Sequence, residues 1–576
     1  LNWTYGNLTP TAKVRVEFSR NAGAEWFVLA SNINVSAGSM EWNAGDEQVT
    51  TLARWRILSE TDVAVFDETD NNFAIKNNTL TIFVNDGATN DDVYCTTAGL
   101  DINSGLSNNV PLLSVRDAFT RYPLGPGDII YIDSGFYSVS NTLVLNEFSR
   151  GSSGMPIRVQ GSTNRSQATT LQFNNNTYGL RIANSKFIDV SDISIRGATN
   201  GVLINYSEDI NLSRINAHNN LRVGFMSENA QRLLLENCTS YRNTGWGIQS
   251  SASSLNVMNS IIYSNNSGSV KLENSTLEML NSIVHAANAS SYVYQVSESS
   301  VAGCDYNIIW LVSTNPVLAR DARFGFDYIK LREWQKNTGA DVHSVLMDPQ
   351  MVNPTAGDFG LRSKAGRYDT NGVLVTSDSI TSWAIDAGRL SDPFANEPAP
   401  NGSRINAGSH GNTPVASRSV TNPSERALFA SSFNDGGTAN GVVTLYWLAR
   451  GFSPTSSVRV EYSLNNGALW QLAATNLAAV GSGYVWDTSD LLSSPLVRWR
   501  VISEENTNIL DGVDGILLAT TGTDEIDLLA KEPLWQRLPA VASGAVVASN
   551  GNVNYGSLYS AIHLVRLFDE LYGKIG

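Results

Sequence analysis

Apolar and polar residues alternate along residues 186–301, and the alternation repeats about every 22 residues. Within one repeat, Ile188-Asp189-Val190 and Ile193-Ser194-Ile195 place every second side chain on the same side, which is typical of a β-strand. A fixed period of this length indicates a repeat architecture. The pattern predicts several short strands per repeat, stacked rung on rung as a coil of parallel β-sheet that ends near Trp310. Equivalent apolar positions then form three columns: Val190, Leu212, Leu235, Val257, Met279 and Val301; Ile188, Ile210, Leu233, Leu255 and Leu277; Ile195, Ala217, Ser240, Ile262 and Val284.

Small polar residues also recur at the repeat spacing. Asn237, Asn259 and Asn281 fall at one turn position, 22 residues apart. Stacked asparagines hydrogen-bond along the axis of piled strands, so we expect these three to form a ladder that closes one corner of the coil. Three cysteines are too few for a disulfide framework. Cys238 occupies an inward position and is expected to be a buried free thiol.

The repeat resembles the right-handed parallel β-helix of pectate-lyase-like proteins over roughly residues 90–415. The resemblance implies the right-handed coil, which also agrees with the strong preference of parallel crossovers. The stretch PGDIIYIDSGFY, residues 126–137, resembles the start of the coil in many extracellular β-helix proteins. The stretch NGSRINAGSHGNTPVAS, residues 401–417, is similar to the closing segment of secreted bacterial ones. These resemblances imply an extracellular or cell-surface location, and they specify fold more strongly than function.

Both ends of the coil carry segments suited to covering it. Ser114–Tyr122 has an amphipathic pattern that predicts a short helix over the first rung. Asp128 follows Pro-Gly and is interpreted as a turn residue rather than a catalyst. Leu331–Trp334 predicts a second short helix, and the turn-rich residues 325–415 are expected to close the domain. The β-helix with its cap and closing segment is therefore placed at 81–415.

The sequence pattern of residues 1–80 recurs near the carboxyl-terminal end of the chain. Val14–Ser19 matches Val458–Ser463, and Trp26, Trp42 and Arg54-Trp55-Arg56 each have a counterpart 444 positions later. Alternation with Asn/Gly turns predicts two small β-sandwiches, 1–80 and 441–520, which resemble immunoglobulin-like or fibronectin-like modules. The second copy has a strand-like stretch, residues 441–444, with no counterpart in the first. The first copy is therefore expected to lack a strand or to borrow one from another molecule.

The remaining regions complete an all-β chain with a helical end. Residues 416–440 are rich in Ser, Asn and Gly and are interpreted as a linker, and residues 521–576 predict a short helical tail. Leu1 is not an initiator methionine, which indicates a processed, truncated or partial chain. The net charge of −15 argues against nucleic acid or an anionic membrane as partner and weakens a polyanionic sugar as substrate. No apolar run is long enough to span a membrane.

One outward column combines rings and charge at the repeat spacing, and it is the candidate glycan-binding site. Aromatic and imidazole rings on a flat sheet stack on sugars, and an arginine pairs with a carboxylate. The alternative is that the stacked rings stabilise the sheet through their own cross-strand contacts. The column contains Arg196, His218, Tyr241, Tyr263 and His285.

Catalytic residues are not evident. The resemblance raises the possibility of a metal-assisted lyase. Such enzymes need a basic residue and several carboxylates that bind calcium, an ion that favours six to eight oxygen ligands. Arg242 and Lys271 are weak candidates for the base, with a solvated surface charge as the alternative. Glu208-Asp209 is the nearest acidic pair, and the outward column of Asp189, Asn211, Leu234, Asn256 and Glu278 has no dense acidic cluster. No metal ligands or cofactors are identified, and calcium is left open.

Three functions remain. The first, which the sequence favours, is an extracellular structural or adhesive cell-surface protein with a rigid β-helix rod. The second is a polysaccharide lyase or glycoside hydrolase, and the third is a non-catalytic carbohydrate-binding protein. The expected partners are a polysaccharide or other surface proteins. Self-association through a sandwich edge or the tail is an open alternative.

Overall fold

The computed structural model describes residues 1–44, 47, 50–75, 79–164, 168–174, 178–287, 290–312, 317–481 and 483–518. The predicted helical tail, 521–576, lies outside these residues. In the described part of the chain β-strands dominate, which confirms the all-β class, and the α-helices are Val115–Thr120 and Leu331–Thr338. Short 3-10 turns occupy Val35–Ala37, Pro354–Ala356 and Pro423–Glu425.

The predicted coil is present as three sheets that the chain visits in turn. The first sheet contains Thr81–Val84, Ile129–Ile132, Ile157–Gly161, Lys186–Ser191, Glu208–Ser213, Gln231–Glu236, Ser254–Met258 and Thr276–Leu280. The second contains Gly135–Val139, Thr169–Phe173, Ile193–Arg196, Asn216–His218, Thr239–Tyr241, Ile261–Tyr263, Ile283–Ala286, Ile308–Leu311 and Val345–Leu346. The third contains Leu143–Leu145, Tyr178–Ala183, Asn200–Asn205, Phe225–Glu228, Trp246–Ser251, Gly268–Glu273, Tyr292–Ser297, Ala319–Asp321 and Phe326–Tyr328.

The register of the rungs follows the apolar columns. Ile188 pairs with Ile210, and Ile210 pairs with Leu233, in parallel strands of the first sheet. These side chains are fully or almost fully buried, as are those of the other two columns, and together they fill one continuous core. A slip of one residue would turn every inward side chain outward, so burial fixes the register. The coil continues beyond the predicted end at Trp310, to Val345–Leu346.

The predicted ladder of Asn237, Asn259 and Asn281 is wrong, although all three residues adopt positive φ at the same corner. The amide of Asn237 donates to the backbone oxygens of Ser409 at 3.0 Å and Gly411 at 2.9 Å instead of to its neighbour in the column. At this corner the left-handed backbone turns the side chain away from the core, toward the segment that covers it.

The asparagine ladder lies at a different corner, between the second and third sheets. The amide of Asn220 donates to Asn243 at 3.0 Å, and the amide of Asn243 donates to Asn265 at 2.9 Å. All three side chains are buried. Each also donates to a backbone oxygen of the rung before it, as Asn243 does to Ala217 at 2.9 Å. The ladder therefore satisfies polar groups inside the coil and links consecutive rungs.

Both predicted covers of the coil are confirmed. The helix Val115–Thr120 begins at Ser114, whose hydroxyl accepts from the N–H of Asp117, and it places Val115, Ala118 and Phe119 in the core. Asp128 is a buried turn residue, since its carboxylate accepts from the N–H groups of Leu80 and Gly125. At the other end, Trp334 of the helix Leu331–Thr338 is fully buried.

Over residues 13–68 of the first module, the two modules share one strand register with a constant offset of 444. In the first module, Val14 pairs with Ile33 and Ser59; in the second, Val458 pairs with Leu477 and Ser503, with bulges at equivalent places. The immunoglobulin or fibronectin likeness stays a prediction. The strands of the first module are Lys13–Ser19, Phe27–Asn34, Thr50–Ser59, Phe66–Glu68 and Phe73–Ile75. Those of the second are Ala427–Ala430, Gly437–Ala439, Val442–Leu445, Trp447–Arg450, Ser457–Ser463, Gln471–Ala478, Tyr484–Asp487, Ser494–Ser503 and Leu510–Leu518.

The predicted linker at 416–440 is wrong in its carboxyl-terminal half. Residues 427–430 and 437–439 are strands of the second module, and Leu428, Ala430 and Ala439 are buried in its core. The Ser/Asn/Gly composition belongs to the tight turns between these short strands, which a composition argument does not distinguish from a linker.

The second module is docked on the coil rather than tethered to it. The N–H of Leu331 donates to the carboxylate of Asp435 at 2.7 Å. The Arg450 guanidinium donates to the backbone carbonyl oxygen of Thr381, also at 2.7 Å. The ring of Tyr446 packs edge-on against His343, with 4.1 Å between centroids. The β-helix and the second module therefore share a packed, hydrogen-bonded interface.

The closing segment, residues 347–419, folds back along the outer face of the second sheet. Its short strands are Met351–Asn353, Asp358–Leu361, Arg367–Tyr368 and Leu374–Val375, and turns connect them. Its apolar residues, including Met351, Phe359, Leu361 and Ile385, form a core of their own against that sheet. This arrangement determines which parts of the coil surface remain open.

Candidate glycan-binding groove

The predicted column of rings forms on the second sheet with the expected pairing. Arg196 pairs with His218 and His218 with Tyr241, and Tyr241 pairs with Tyr263 one rung further along. His218 stacks on Tyr241 at 4.6 Å between centroids. Further along, Tyr263 stacks on His285 at 4.5 Å. The sequence analysis missed the continuation of this column to Trp310, whose ring lies 4.6 Å from that of His285.

The column is not an open sugar-binding stripe, and that prediction is wrong. Phe359 of the closing segment lies between the rings, 5.0 Å from Tyr241 and 5.8 Å from Tyr263. The exposed fraction is 8% for His218, 6% for Tyr263 and 4% for His285. The rings stack on one another and on the closing segment, as in the alternative interpretation, and they stabilise this interface.

Burial also removes the charge that the column would need for binding an acidic sugar. Burial, together with the nearby guanidiniums of Arg196 and Arg242, lowers the pKa of His218 to about 4. Burial alone lowers the pKa of His285 to about 4. Both imidazoles are neutral at neutral pH, and the Nε2 of His218 lies 2.9 Å from the hydroxyl of Ser194.

An open groove lies beside the covered column, where the closing segment stands away from the coil. Its volume is about 760 Å³, within the range of small-molecule and sugar sites. The wall from the coil contains Asp192, Ser194, Arg214, Asn216, Glu236 and Thr239. The wall from the closing segment contains Asp358, Phe359, Tyr368, Asp369, His410 and Asn412. We refer to this space as the groove.

Neighbouring rungs place the charged groups of the coil wall. Asp192 and Arg214 occupy the same turn position of successive rungs, directly after the paired residues Ser191 and Ser213, whereas Glu236 ends the next strand and pairs with Ser213. The guanidinium of Arg214 binds the carboxylate of Asp192 through two bonds of 2.6 and 2.8 Å. Within the described residues, the carboxylate of Glu236 has no hydrogen bond. The groove thus contains one neutralised ion pair and one carboxylate that is available to a ligand.

The closing-segment wall adds an aromatic face and further carboxylates. The hydroxyl of Tyr368 accepts a hydrogen bond from Arg418 at 3.0 Å, which fixes the half-buried ring at the groove. Asp358 and Asp369 orient their own turns by accepting backbone N–H groups. Four carboxylates face one guanidinium in the described lining, so with His410 neutral its formal charge is −3.

The two candidate bases are not brought together. Arg242 is exposed in the turn that follows the second sheet. Lys271 lies on the outer face of the third sheet, where it pairs with Glu273 at 2.8 Å. Neither residue lines the groove. Their catalytic role stays a prediction without support from the geometry.

The acidic candidates of the first sheet have structural partners. Glu208 and Asp209 both bind the guanidinium of Arg232, and Asp189 accepts from the amide of Asn211 at 2.8 Å. Within the described residues, no group of three or more His, Cys, Asp or Glu side chains could hold a metal ion. The donors present therefore do not fit the calcium site of a metal-assisted lyase, and no catalytic step is assigned to calcium here.

The thiol of Cys238 is a buried free thiol, as predicted. Burial raises its pKa to about 12, so the sulfur is an unreactive member of the core.

Residues 93–275 match a family model described as the Pel9A-like, right handed beta helix region. The coil is a right-handed parallel β-helix, and over these residues it is similar to the coil that this family model describes. The match spans the first rungs and most of the repeats, under half of the chain, and does not include the closing segment or either module.

Other comparisons add little to the Pel9A-like match. No curated protein matches the chain. Among solved structures, the chain is similar to an alginate lyase from Paenibacillus sp. str. FPU-7, with 12% identity and a TM-score of 0.27. The match covers 36% of this chain and 88% of that one. A TM-score this low carries no argument about function. Among the described residues, no helix has both the length and the apolar character needed to cross a membrane.

A buried carboxyl, Glu397, holds part of the groove wall in place. Glu397 accepts the N–H groups of Asn406 and Asn412, both at 2.9 Å, and Asn412 lines the groove. Burial raises the pKa of Glu397 to about 8, with Asp386 adding to the effect, and burial raises the pKa of Asp386 to about 6. The loop beside the groove is thus held by a carboxyl that is protonated below neutral pH.

We expect the free energy of unfolding to fall as pH rises from about 5 to 8. The unfolded chain releases the Glu397 proton near its ordinary pKa of about 4.3, whereas the folded chain keeps it until about pH 8. The folded state therefore binds more protons in this window, and the stability that is full below pH 4 is lost as pH rises. Glu397→Gln should remove most of this fall, which is on the order of a few kcal/mol, when urea unfolding is measured between pH 5 and 8.

The matched control is Glu41→Gln, because Glu41 is exposed on the first module. This variant should retain the pH dependence of the parent. An unchanged slope in Glu397→Gln would show that the closing segment does not bury a protonated carboxyl.

Proposed function

We propose that this chain is an extracellular polysaccharide-binding protein, with the β-helix as a rigid scaffold and the groove as the glycan site. The observation that carries this proposal is the groove, which combines an aromatic face at Tyr368 with polar groups from successive rungs. Sugar rings stack on aromatic faces, and their hydroxyls bond to carboxylates and amides. The Pel9A-like match supports a polysaccharide as ligand class because pectate-lyase-like coils act on such polymers. An adhesive role at the cell surface is compatible with this binding.

The charge of the groove favours neutral or amino sugars over uronates. With three more carboxylates than guanidiniums in the described lining, a polyuronate would bring like charges together at close range. The overall charge of −15 acts in the same direction at long range. A neutral glycan avoids this repulsion. The positively charged amine of an amino sugar is attracted to the carboxylates of the groove.

We expect the purified protein to bind neutral or amino-sugar polymers and not polygalacturonate. Affinity electrophoresis and calorimetry with β-glucan, chitosan oligosaccharides and polygalacturonate would measure this. Glu236→Gln should weaken binding of the amino sugar about tenfold or more, because it removes the one carboxylate of the coil wall that has no protein partner. Tyr368→Ala should weaken the binding of both the neutral and the amino-sugar polymer, because it removes the aromatic face on which a sugar ring stacks.

Asn256→Ala is the matched control, because this exposed residue lies on the first sheet, outside the groove. It should bind every glycan as the parent does. If the protein binds polygalacturonate and Glu236→Gln strengthens that binding, the groove holds an acidic sugar. The proposed preference for neutral or amino sugars would then be wrong. Binding that neither Glu236→Gln nor Tyr368→Ala changes would place the site elsewhere.

A second candidate is a glycoside hydrolase that uses the same groove. The observation in its favour is that Glu236, Asp358 and Asp369 line the same space, and hydrolases use pairs of carboxylates. A screen for new reducing or unsaturated ends on the same polymers, with and without calcium, separates binder from enzyme. Products that disappear in Glu236→Gln would make the protein a hydrolase, and products lost on changing Arg242 or Lys271 would favour a lyase.

A further inference from the structure

Three guanidiniums without protein partners lie at the corner between the second and third sheets. Arg196 ends a strand of the second sheet, and Arg222 and Arg242 lie in the turns that lead to the third sheet on the next two rungs. Within the described residues, none of the three side chains forms an ion pair or a hydrogen bond. By contrast, Arg214 and Arg232, elsewhere on the same rungs, each bind a carboxylate through two bonds. We refer to the three unpaired arginines as the basic corner.

The register of the rungs places these side chains near one another. Arg196 pairs with His218, and His218 pairs with Tyr241, the residue before Arg242. Arg196 and Arg242 are therefore two rungs, or about 10 Å, apart along the coil, and Arg222 lies on the rung between them. Both outer guanidiniums act on the same two rings: they add to the burial that lowers the pKa of His218, and they oppose the burial that raises the pKa of Tyr241. Arginine side chains can span this distance from opposite sides, so one ligand group can contact more than one of them.

The surroundings of the basic corner lack acidic residues, although the chain has 54 Asp and Glu residues and a net charge of −15. Residues 193–207, 210–227 and 237–272 contain no Asp or Glu. The closing segment brings Asp348 near Tyr263 and Asp358 to the groove. Among the residues that the structure describes, neither carboxylate forms an ion pair with the basic corner. The local positive charge is thus not neutralised by the protein, and it is complementary to an anion.

An accessible tryptophan lies next to the basic corner. Trp246 follows Gly245, whose N–H donates to the backbone oxygen of Arg222 at 2.6 Å. Gly268 occupies the paired position on the next rung, where a Cβ would lie 2.5 Å from Cζ3 of the Trp246 ring. The glycine therefore leaves room for the half-buried ring to lie over that rung. In the described part of the chain no other aromatic ring or guanidinium packs on Trp246, so its face is available to a sugar ring.

We propose that the basic corner binds a phosphate ester carried by a glycan, with the phosphate on the guanidiniums and the adjoining sugar on Trp246. A phosphate monoester has a charge of about −1.5 to −2 and three acceptor oxygens, so it can bind more than one guanidinium at once. A carboxylate, with one charge and two oxygens, is matched by a single arginine. This site is separate from the groove and does not depend on it, because none of its residues lines the groove.

The charge of the rest of the chain favours a glycan with isolated phosphates over a dense polyanion. A polymer with a carboxylate on every sugar would place most of its charges against an acidic surface, including the groove. A neutral or amino-sugar chain with an isolated phosphate places its one strong negative charge on the basic corner. The same balance disfavours an anionic membrane, whose charge extends over a plane much wider than three arginines.

The test is calorimetry of the purified protein with maltohexaose that carries a single phosphate monoester and with unmodified maltohexaose. The readout is the ratio of the two dissociation constants, which isolates the contribution of the phosphate. We expect the phosphorylated sugar to bind about tenfold or more tightly at low ionic strength, and this gain to shrink as salt is added. The double variant Arg222→Ala, Arg242→Ala should abolish the gain. Trp246→Ala should weaken the binding of the phosphorylated sugar, because it removes the stacking face.

Arg116→Ala is the matched control, because it removes the same charge at an exposed position of the helix that covers the first rung. It should retain the whole gain. Equal affinities for the two sugars would overturn the proposal, and so would a gain that the double arginine variant retains. A gain that Tyr368→Ala abolishes would mean that the phosphate binds in the groove instead. Binding to phosphatidylglycerol vesicles that the double variant abolishes, without any gain for the phosphorylated sugar, would assign the basic corner to a lipid surface and also overturn the proposal.

Discussion

Trp334→Ala is expected to cost at least about 4 kcal/mol of unfolding free energy and to open the carboxyl-terminal end of the β-helix. Trp334 is fully buried, its ring stacks on Tyr294 at 5.2 Å, and its indole donates to the carboxylate of Asp341 at 3.0 Å. Truncating a buried tryptophan costs about 3–5 kcal/mol. Removing a donor from a buried carboxylate adds about 1–3 kcal/mol. Urea unfolding followed by tryptophan fluorescence and circular dichroism measures the total.

Two variants separate the parts of this effect. Trp334→Phe keeps most of the ring and loses the indole N–H, so it should cost about 1–3 kcal/mol. Asn337→Ala lies on the same helix with its side chain exposed, and it should stay within about 0.5 kcal/mol of the parent. If Trp334→Ala unfolds at the same urea concentration as Asn337→Ala, the helix does not cap the core.

The coil was predictable because burial imposes one rule on every rung. A residue such as Ile210 must pair with Ile188 before it and Leu233 after it and must still face inward. Both requirements are met only when the residues form strands and recur about every 22 residues. The apolar columns can therefore be identified directly from the sequence. The same reasoning applies to the modules, where a constant offset of 444 carries over into identical pairing.

The outer face of the coil could not be predicted in the same way. Tyr263 points outward, as the alternation requires, but whether an outward ring meets water or protein depends on chain far away in sequence. Phe359 covers it from almost one hundred residues further along. The available signal was composition, because the rings concentrate on the second sheet while the first sheet presents Asp189, Asn211 and Asn256. Such a concentration of rings marks an interaction surface, and here the closing segment is what covers it.

The groove was missed for a related reason. Asp192 and Arg214 fall in turns between strands, and Glu236 ends a strand one position out of register with them, so the three do not form a column of the repeat. Their opposite wall, with Tyr368 and Asp369, comes from the closing segment, whose turns have no period. A site between a periodic and an irregular part of the chain becomes visible only when the packing of the two is known.

Asn243→Ala is expected to destabilise the β-helix by about 3 kcal/mol or more. Its amide donates to Ala217, Ser240 and Asn265, and its oxygen accepts from Asn220, all inside the coil. Alanine leaves several buried groups without partners, at about 1–3 kcal/mol each. Asn243→Asp should cost at least as much, because a carboxylate cannot donate to the oxygens of Ala217 and Asn265. Thermal and urea unfolding of the purified variants would measure both effects.

The matched control is Asn256→Ala, since Asn256 belongs to a nearby rung but is exposed on the outer face. It should change the unfolding free energy by no more than about 0.5 kcal/mol. Each rung contacts chiefly its neighbours, so the damage at Asn243 should be largest in the rungs that contain Asn220 and Asn265. Hydrogen exchange can resolve this distribution. A uniform loss of protection along the whole coil would mean that the rungs unfold as one unit and that the ladder does not act locally.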